Sequence, residues 1–206
     1  MSIRLVVLIM GLLLLNTIKA QDNILILGDS LSAAYRLKQQ QSWVYLLQQR
    51  LNQSYPQYQL INESTSGHTT ANGLNQLKPA LQQYRPRIVI VELGANDGLR
   101  GLPISYAKKN LQAIIELSQQ QQAKILILGM RIPPNYGKKY TQAFAAMYQQ
   151  LAKQYQQLLV PFMLDGVSGN PTLIQADGLH PNAKAQPLIL GNIWSSLNSI
   201  LLELEK

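Results

Sequence analysis

Cysteine is absent from this 206-residue chain. That excludes a disulfide scaffold, a thiolate metal site, a catalytic thiol and a cysteine-borne lipid anchor. Histidine is scarce as well, with His68 and His180 the only two. A zinc site built on two or three histidines therefore lacks ligands, and chemistry that needs one histidine has two candidates. Charged residues make up 14% of the chain, against about 25% in an average soluble domain. Glutamine fills the gap, in runs such as Gln39 to Gln41 and Gln119 to Gln122 that read as solvated helix faces. No Gly-, Ser- or Pro-rich linker and no fixed-period repeat divides the chain. Its hydrophobic fraction, 47%, suits one buried core.

What is present begins with a separate leader. Arg4 precedes an apolar run from Leu5 to Leu15, followed by Asn16, Thr17, Ile18, Lys19, Ala20 and Gln21. This pattern predicts a secretory signal peptide over 1–20, cut after Ala20. The run is shorter than the ~20 residues of a membrane-spanning helix, and no later segment is long and apolar enough to span. Removing residues 1–20 takes away Arg4 and Lys19 and no acid, so the formal charge falls from +8 to +6. The remaining cations are scattered, apart from Lys108-Lys109 and Lys138-Lys139. No basic stripe with interleaved aromatics indicates a nucleic-acid partner.

Three short apolar runs end at a glycine: Asn23 to Gly28, Arg87 to Gly94 and Lys124 to Gly129. Such runs suit strands buried on both faces of a parallel sheet. Gln57 to Asn62 and Leu158 to Met163 are weaker strand candidates. Helical periodicity is expected over 42–51, 71–84, 105–120, 140–155 and 182–202. Strand alternating with helix predicts one α/β domain over 21–206, a parallel sheet with helices on both sides. In such sheets the active crevice lies beyond the carboxyl ends of the strands. Polar residues gather at four places there: Asp29-Ser30, Ser64 to Gly67, Ala95 to Gly98, and Asp177 to His180.

Ser30 follows the first strand, where a turn or helix start offers free N–H groups. It suits a nucleophile, although on its own the position reads first as a helix N-cap, at Asp29 or Ser30. A serine needs a base to take its proton, and His180 is the natural one. Asp177, three residues earlier, can fix the imidazole tautomer and stabilise the imidazolium. The alternative for Asp-x-x-His is a capped turn. Gly67 and Asn96 can supply N–H donors to an oxyanion, or serve as ordinary turn residues.

The segments Gly28-Asp29-Ser30-Leu31-Ser32, Gly67, Gly94-Ala95-Asn96-Asp97 and Asp177-Gly178-Leu179-His180-Pro181 resemble the four blocks of the GDSL, or SGNH, hydrolases. The resemblance covers nearly the whole chain after the leader. Gly28 to Tyr35, Glu92 to Gly101 and Pro134 to Gly137 are similar to the exported bacterial subgroup of thioesterases, lysophospholipases and arylesterases. It implies a flavodoxin-like three-layer α/β/α sandwich with strand order 2-1-3-4-5. It implies Ser30 as nucleophile, His180 as base, Asp177 as its partner, and Ser30, Gly67 and Asn96 as the oxyanion hole. Neither metal nor organic cofactor is implied. Two departures stand out: Ala95 where the family often has glycine, and His68 where the subgroup often has an acid. His68 reads as a surface residue.

Two apolar loops are expected beside the site, 99–104 and 130–136, and apolar loop residues there suit an acyl chain. Leu99, Arg100, Leu102, Ile132, Pro133 and Tyr136 are the candidate substrate contacts. Arg100 and Arg131 could meet a phosphate, although a surface role suits both. The expected protein is an exported, periplasmic or secreted monomer acting on small acyl esters or thioesters, lysophospholipids among them. It makes no stable membrane insertion once the leader is gone. Two other readings are a carbohydrate O-deacetylase of the same superfamily, and a flavodoxin-like binding module. The latter lacks a Gly-x-Gly-x-x-Gly after the first strand.

Overall fold

The computed structural model describes residues 22–206; the leader expected over 1–20 lies outside them. Five strands form one parallel sheet in the order β2-β1-β3-β4-β5. They are β1 (Asp22–Gly28), β2 (Tyr58–Asn62), β3 (Ile88–Glu92), β4 (Lys124–Leu128) and β5 (Leu158–Val160). The helices are α1 (Trp43–Ser54), α2 (Thr70–Tyr84), α3 (Ala95–Leu99), α4 (Ile104–Gln120), α5 (Lys138–Tyr155) and α6 (Gln186–Leu204). Helices α2, α4 and α5 pack together on one side, α1 and α6 on the other. This is the expected three-layer sandwich.

The sheet forms because its central strands have no polar face. Ile24 to Leu27, Ile88 to Val91 and Ile125 to Leu128 are all buried, and only a sheet covered on both sides hides both alternating sets. Helices of matching apolar stripe supply the covers, with Trp43, Leu47 and Leu51 from α1 and Ile189, Ile193 and Leu197 from α6. Ser42 caps α1, its side chain accepting from the Tyr45 N–H.

Apart from small shifts at other element ends, three differences from expectation bear on the layout. β5 stops at Val160, because Pro161 has no N–H to continue a ladder. The last helix does not run unbroken from Asn182: Asn182 caps a short 3-10 turn over Ala183–Ala185, and α6 starts after it. The five-residue α3 was not anticipated; it is too short to show helical periodicity. Its consequence is local, since it carries Asn96.

Candidate active site

Every strand of this sheet points its carboxyl end the same way, so the segments that follow them meet at one edge. Ser30 lies just past β1 in a turn over residues 30–36. The Ala33 N–H bonds to the Asp29 carbonyl at 2.9 Å, one helical turn that goes no further. Gly28 ends the strand where a side chain would not fit. A Cβ there would stand 2.8 Å from Ser64 Oγ and 2.9 Å from Glu92 Oε2.

His180 Nε2 lies 2.9 Å from Ser30 Oγ, and His180 Nδ1 lies 2.9 Å from Asp177 Oδ2. Asp177 Oδ1 accepts from the N–H groups of Leu179 and His180, each at 3.0 Å. Those bonds, led by that of the His180 N–H, hold the Asp177 carboxyl down at about 2. Gly178 takes φ +72°, which lets the loop turn back between the two side chains. The loop is tied to its surroundings at both ends. Gln175 donates from Nε2 to the carbonyls of Tyr35 and Pro181, and Tyr35 lays its ring 4.4 Å from that of His180.

The expected oxyanion donors, Ser30, Gly67 and Asn96, border one cavity together with His180. Neither the Ser30 nor the Gly67 N–H has an acceptor among the described residues. Asn96 Nδ2 donates to Asp29 Oδ2 at 2.9 Å and to the His68 carbonyl at 3.0 Å. Asp97, next to Asn96 in the third block, is buried. It accepts from the N–H and hydroxyl of Thr70, at 2.8 and 2.7 Å. A carboxylate at the N-terminus of α2 is favoured by the helix dipole. It also fastens the Asn96 segment to the one bearing Gly67. His68 is half-buried, not a surface residue as expected: its Nδ1 is buried and unpartnered among the described residues.

A cavity of about 850 Å³ opens beside Ser30 and His180. Of the expected substrate contacts, Leu99, Ile132 and Pro133 line it, while Arg100, Leu102 and Tyr136 do not. Each of those three is turned to structural use. Arg100 donates to the Gly67 carbonyl at 2.9 Å, Tyr136 to the Leu99 carbonyl at 2.8 Å, and the Leu102 carbonyl accepts from Tyr140 at 2.6 Å. Arg131 lines the cavity but lies across the Phe162 ring, 4.7 Å from its centroid. Sequence reading missed the segment after β5, where Phe162, Leu164 and Ile174 complete the wall. Its place beyond a strand end was the available signal. Among the described residues no cluster of His, Asp and Glu could hold a metal ion.

This edge of a doubly covered parallel sheet, with a serine against a histidine at the mouth of an apolar cavity, defines an α/β/α hydrolase. The chain belongs to the GDSL-like lipase/acylhydrolase family, whose sequence model matches residues 26–187. Esterase TesA of Pseudomonas aeruginosa is 43% identical over 192 residues, 93% of this chain and 96% of that protein. The thioesterase 1/protease 1/lysophospholipase L1 of Escherichia coli K12 is 42% identical over 170 residues, 82% of this chain and 80% of that one. The psychrotrophic esterase EstA from Pseudoalteromonas sp., solved with the inhibitor monoethylphosphonate, has the same fold. Its TM-score is 0.83 at 42% identity, covering 87% of this chain and 98% of that one.

Proposed function

We propose that the protein is an exported serine esterase and thioesterase acting on medium- to long-chain acyl substrates, lysophospholipids included. The observation that carries this is the run of two 2.9 Å contacts from Ser30 Oγ through His180 to Asp177, at the mouth of the cavity. Ser30 Oγ attacks the acyl carbon while His180 Nε2 takes its proton. Asp177 stabilises the imidazolium across Nδ1. The tetrahedral oxyanion is held by the N–H groups of Ser30 and Gly67 and by Asn96 Nδ2. An oxyanion is a stronger acceptor than an amide carbonyl, so it draws the Asn96 hydrogen that now points to His68. His180 then protonates the departing alcohol or thiol. Water, deprotonated by the same histidine, releases the fatty acid from Ser30.

Names of the relatives support the breadth of leaving group: one is an esterase, another a thioesterase and lysophospholipase. A phosphonate, tetrahedral at phosphorus, imitates the intermediate of acyl transfer, and one inhibits EstA. The cavity supports long acyl chains over the O-deacetylase reading, because about 850 Å³ far exceeds the needs of an acetyl group. Residues 21–206 act as one monomeric hydrolase domain, delivered to the periplasm or medium by a leader over 1–20. The leader's charge pattern and Ala20 support this. Among the described residues no helix is long and apolar enough to cross a membrane.

Hydrolysis of p-nitrophenyl esters from acetyl to palmitoyl, with Ser30→Ala beside the wild type, tests the reading. A serine-dependent optimum at medium or long chains is expected. Turnover retained by Ser30→Ala overturns it.

A further inference from the structure

Two carboxyl side chains meet beneath the nucleophile, and the reaction as described uses neither. Asp29 precedes Ser30, Glu92 ends β3, and both are buried, at 1% and 0% exposure. The Asp29 N–H donates to Glu92 Oε2 at 3.1 Å, and Ser32 Oγ donates to the same oxygen at 2.8 Å. Glu92 Oε1 is buried and accepts from nothing among the described residues. The bond from the Asp29 N–H brings the two buried carboxyl groups next to each other, away from water. A bond between two carboxyls needs one proton, because two carboxylates only repel.

The donors decide where that proton sits. Asp29 receives the Leu31 N–H on Oδ1 at 3.1 Å and Asn96 Nδ2 on Oδ2 at 2.9 Å. Both of its oxygens are thus supplied. Glu92 has one oxygen doubly supplied and the other with none, which suits an acid whose free oxygen carries hydrogen. Burial, and then the Asp29 charge, push Glu92 well above the usual carboxyl range. Asp29 is raised less, to about 6, with burial again the largest cause. His180, from the segment before α6, acts on Asp29 and lowers it, while Tyr148 on α5, raised first by burial, is raised further by both acids.

We propose that Glu92 is a neutral, proton-holding residue that donates to an ionised Asp29, and that Asp29, so held, positions the Asn96 amide at the oxyanion. The proposal rests on the reading of Ser30 and Asn96 given above. Its chemical sense lies in the charge count. With both acids ionised, two negative charges would stand beneath the place where a third develops. With Glu92 neutral only one stands there, and it has a fixed task. It accepts one Asn96 hydrogen and leaves the other for the oxyanion. Asp29 and Glu92 are positioning residues, acting through Asn96.

The test separates charge from shape. Glutamine is the neutral acid's isostere: its carbonyl accepts from the Asp29 N–H and Ser32, and its amide donates to Asp29. Glu92→Gln is expected to lose no more than about threefold in kcat, and Glu92→Ala about 10- to 100-fold with KM little changed. Asp29→Ala should behave like Glu92→Ala, and Asp29→Asn, which keeps an acceptor for Asn96, should recover most of the loss. Infrared spectroscopy at neutral pH gives a readout independent of turnover. The wild type should carry a protonated-carboxyl carbonyl band that Glu92→Gln lacks. Absence of that band, or a folded Glu92→Gln as impaired as Glu92→Ala, overturns the proposal. Activity in Ser30→Ala would instead sink the hydrolase reading and leave the infrared result standing.

Discussion

Asp177 holds His180 twice. One carboxylate oxygen accepts the histidine's backbone N–H at 3.0 Å, and the other faces its ring Nδ1 at 2.9 Å. Loop shape and ring orientation therefore depend on a single charged group.

Asp177→Asn should keep the fold and lower kcat by about 10⁴, as expected when a triad carboxylate no longer fixes the tautomer. Steady-state hydrolysis of a p-nitrophenyl ester measures it. The pH dependence has a definite sign. The folded carboxyl titrates lower than in the unfolded chain, so its contribution to stability is present above about pH 4. That contribution is lost as pH falls toward about 2. The stability difference between wild type and Asp177→Asn should be constant above about pH 4 and shrink as pH falls toward about 2.

Asn96→Ala should lower kcat by about 10²- to 10³-fold, the usual loss for one oxyanion donor. Binding of a phosphonate inhibitor should weaken in parallel. Equal affinity in both proteins would remove Asn96 from the oxyanion hole.

The buried Asp29–Glu92 pair predicts a stability that declines with rising pH. Both groups titrate higher in the folded chain, so the folded state holds protons that the unfolded state has released. Stability then falls as pH rises above about 4, through about 6 for Asp29 and beyond it for Glu92. Thermal melts across that range should show a shallower decline in Glu92→Gln, which removes one of the two raised acids.

Ile174 lines the cavity beside Leu164 and Leu179. Ile174→Trp should shorten the space for an acyl chain. The kcat/KM for dodecanoyl and longer esters is expected to fall about tenfold or more, with acetyl and butyryl esters little changed. A uniform loss across chain lengths would place the acyl group elsewhere.

Tyr148 is buried on α5 and donates to the Leu93 carbonyl at 2.9 Å. Tyr148→Phe leaves that carbonyl without its donor and should cost about 1–3 kcal/mol in a denaturant titration.

The three central strands, β1, β3 and β4, were legible because they carry unbroken runs of Ile, Leu and Val that no half-exposed strand could carry; β2 and β5 are partly exposed and gave weaker signals. Ser30, Gly67 and Asn96 were legible because each follows closely on a strand, and Asp177 and His180, well beyond β5, because of their spacing around Gly178. Ser30, Gly67, Asn96 and His180 border one cavity, and Asp177 bonds to His180. The cavity wall was legible only in part. Arg100, Leu102 and Tyr136 stand in the right loops, but which way a loop residue turns depends on partners distant in sequence. For these three the partners are Gly67, Tyr140 and Leu99. The roles of Glu92 and Asp97 were hidden for the same reason. The partners of Glu92 are Asp29 and Ser32, and that of Asp97 is Thr70, all distant in sequence.

The strand order divides the molecule by task. Ser30, Gly67 and Asn96 follow the adjacent strands β1, β2 and β3, whereas Ile132, Phe162 and Leu164 follow β4 and β5. Asp177 and His180 also come after β5, just before α6. Substrate range can therefore drift, or be grafted from a relative, by exchanging the segments around Ile132 and Phe162 to Leu164, while Ser30, Gly67 and Asn96 on the other flank stay untouched.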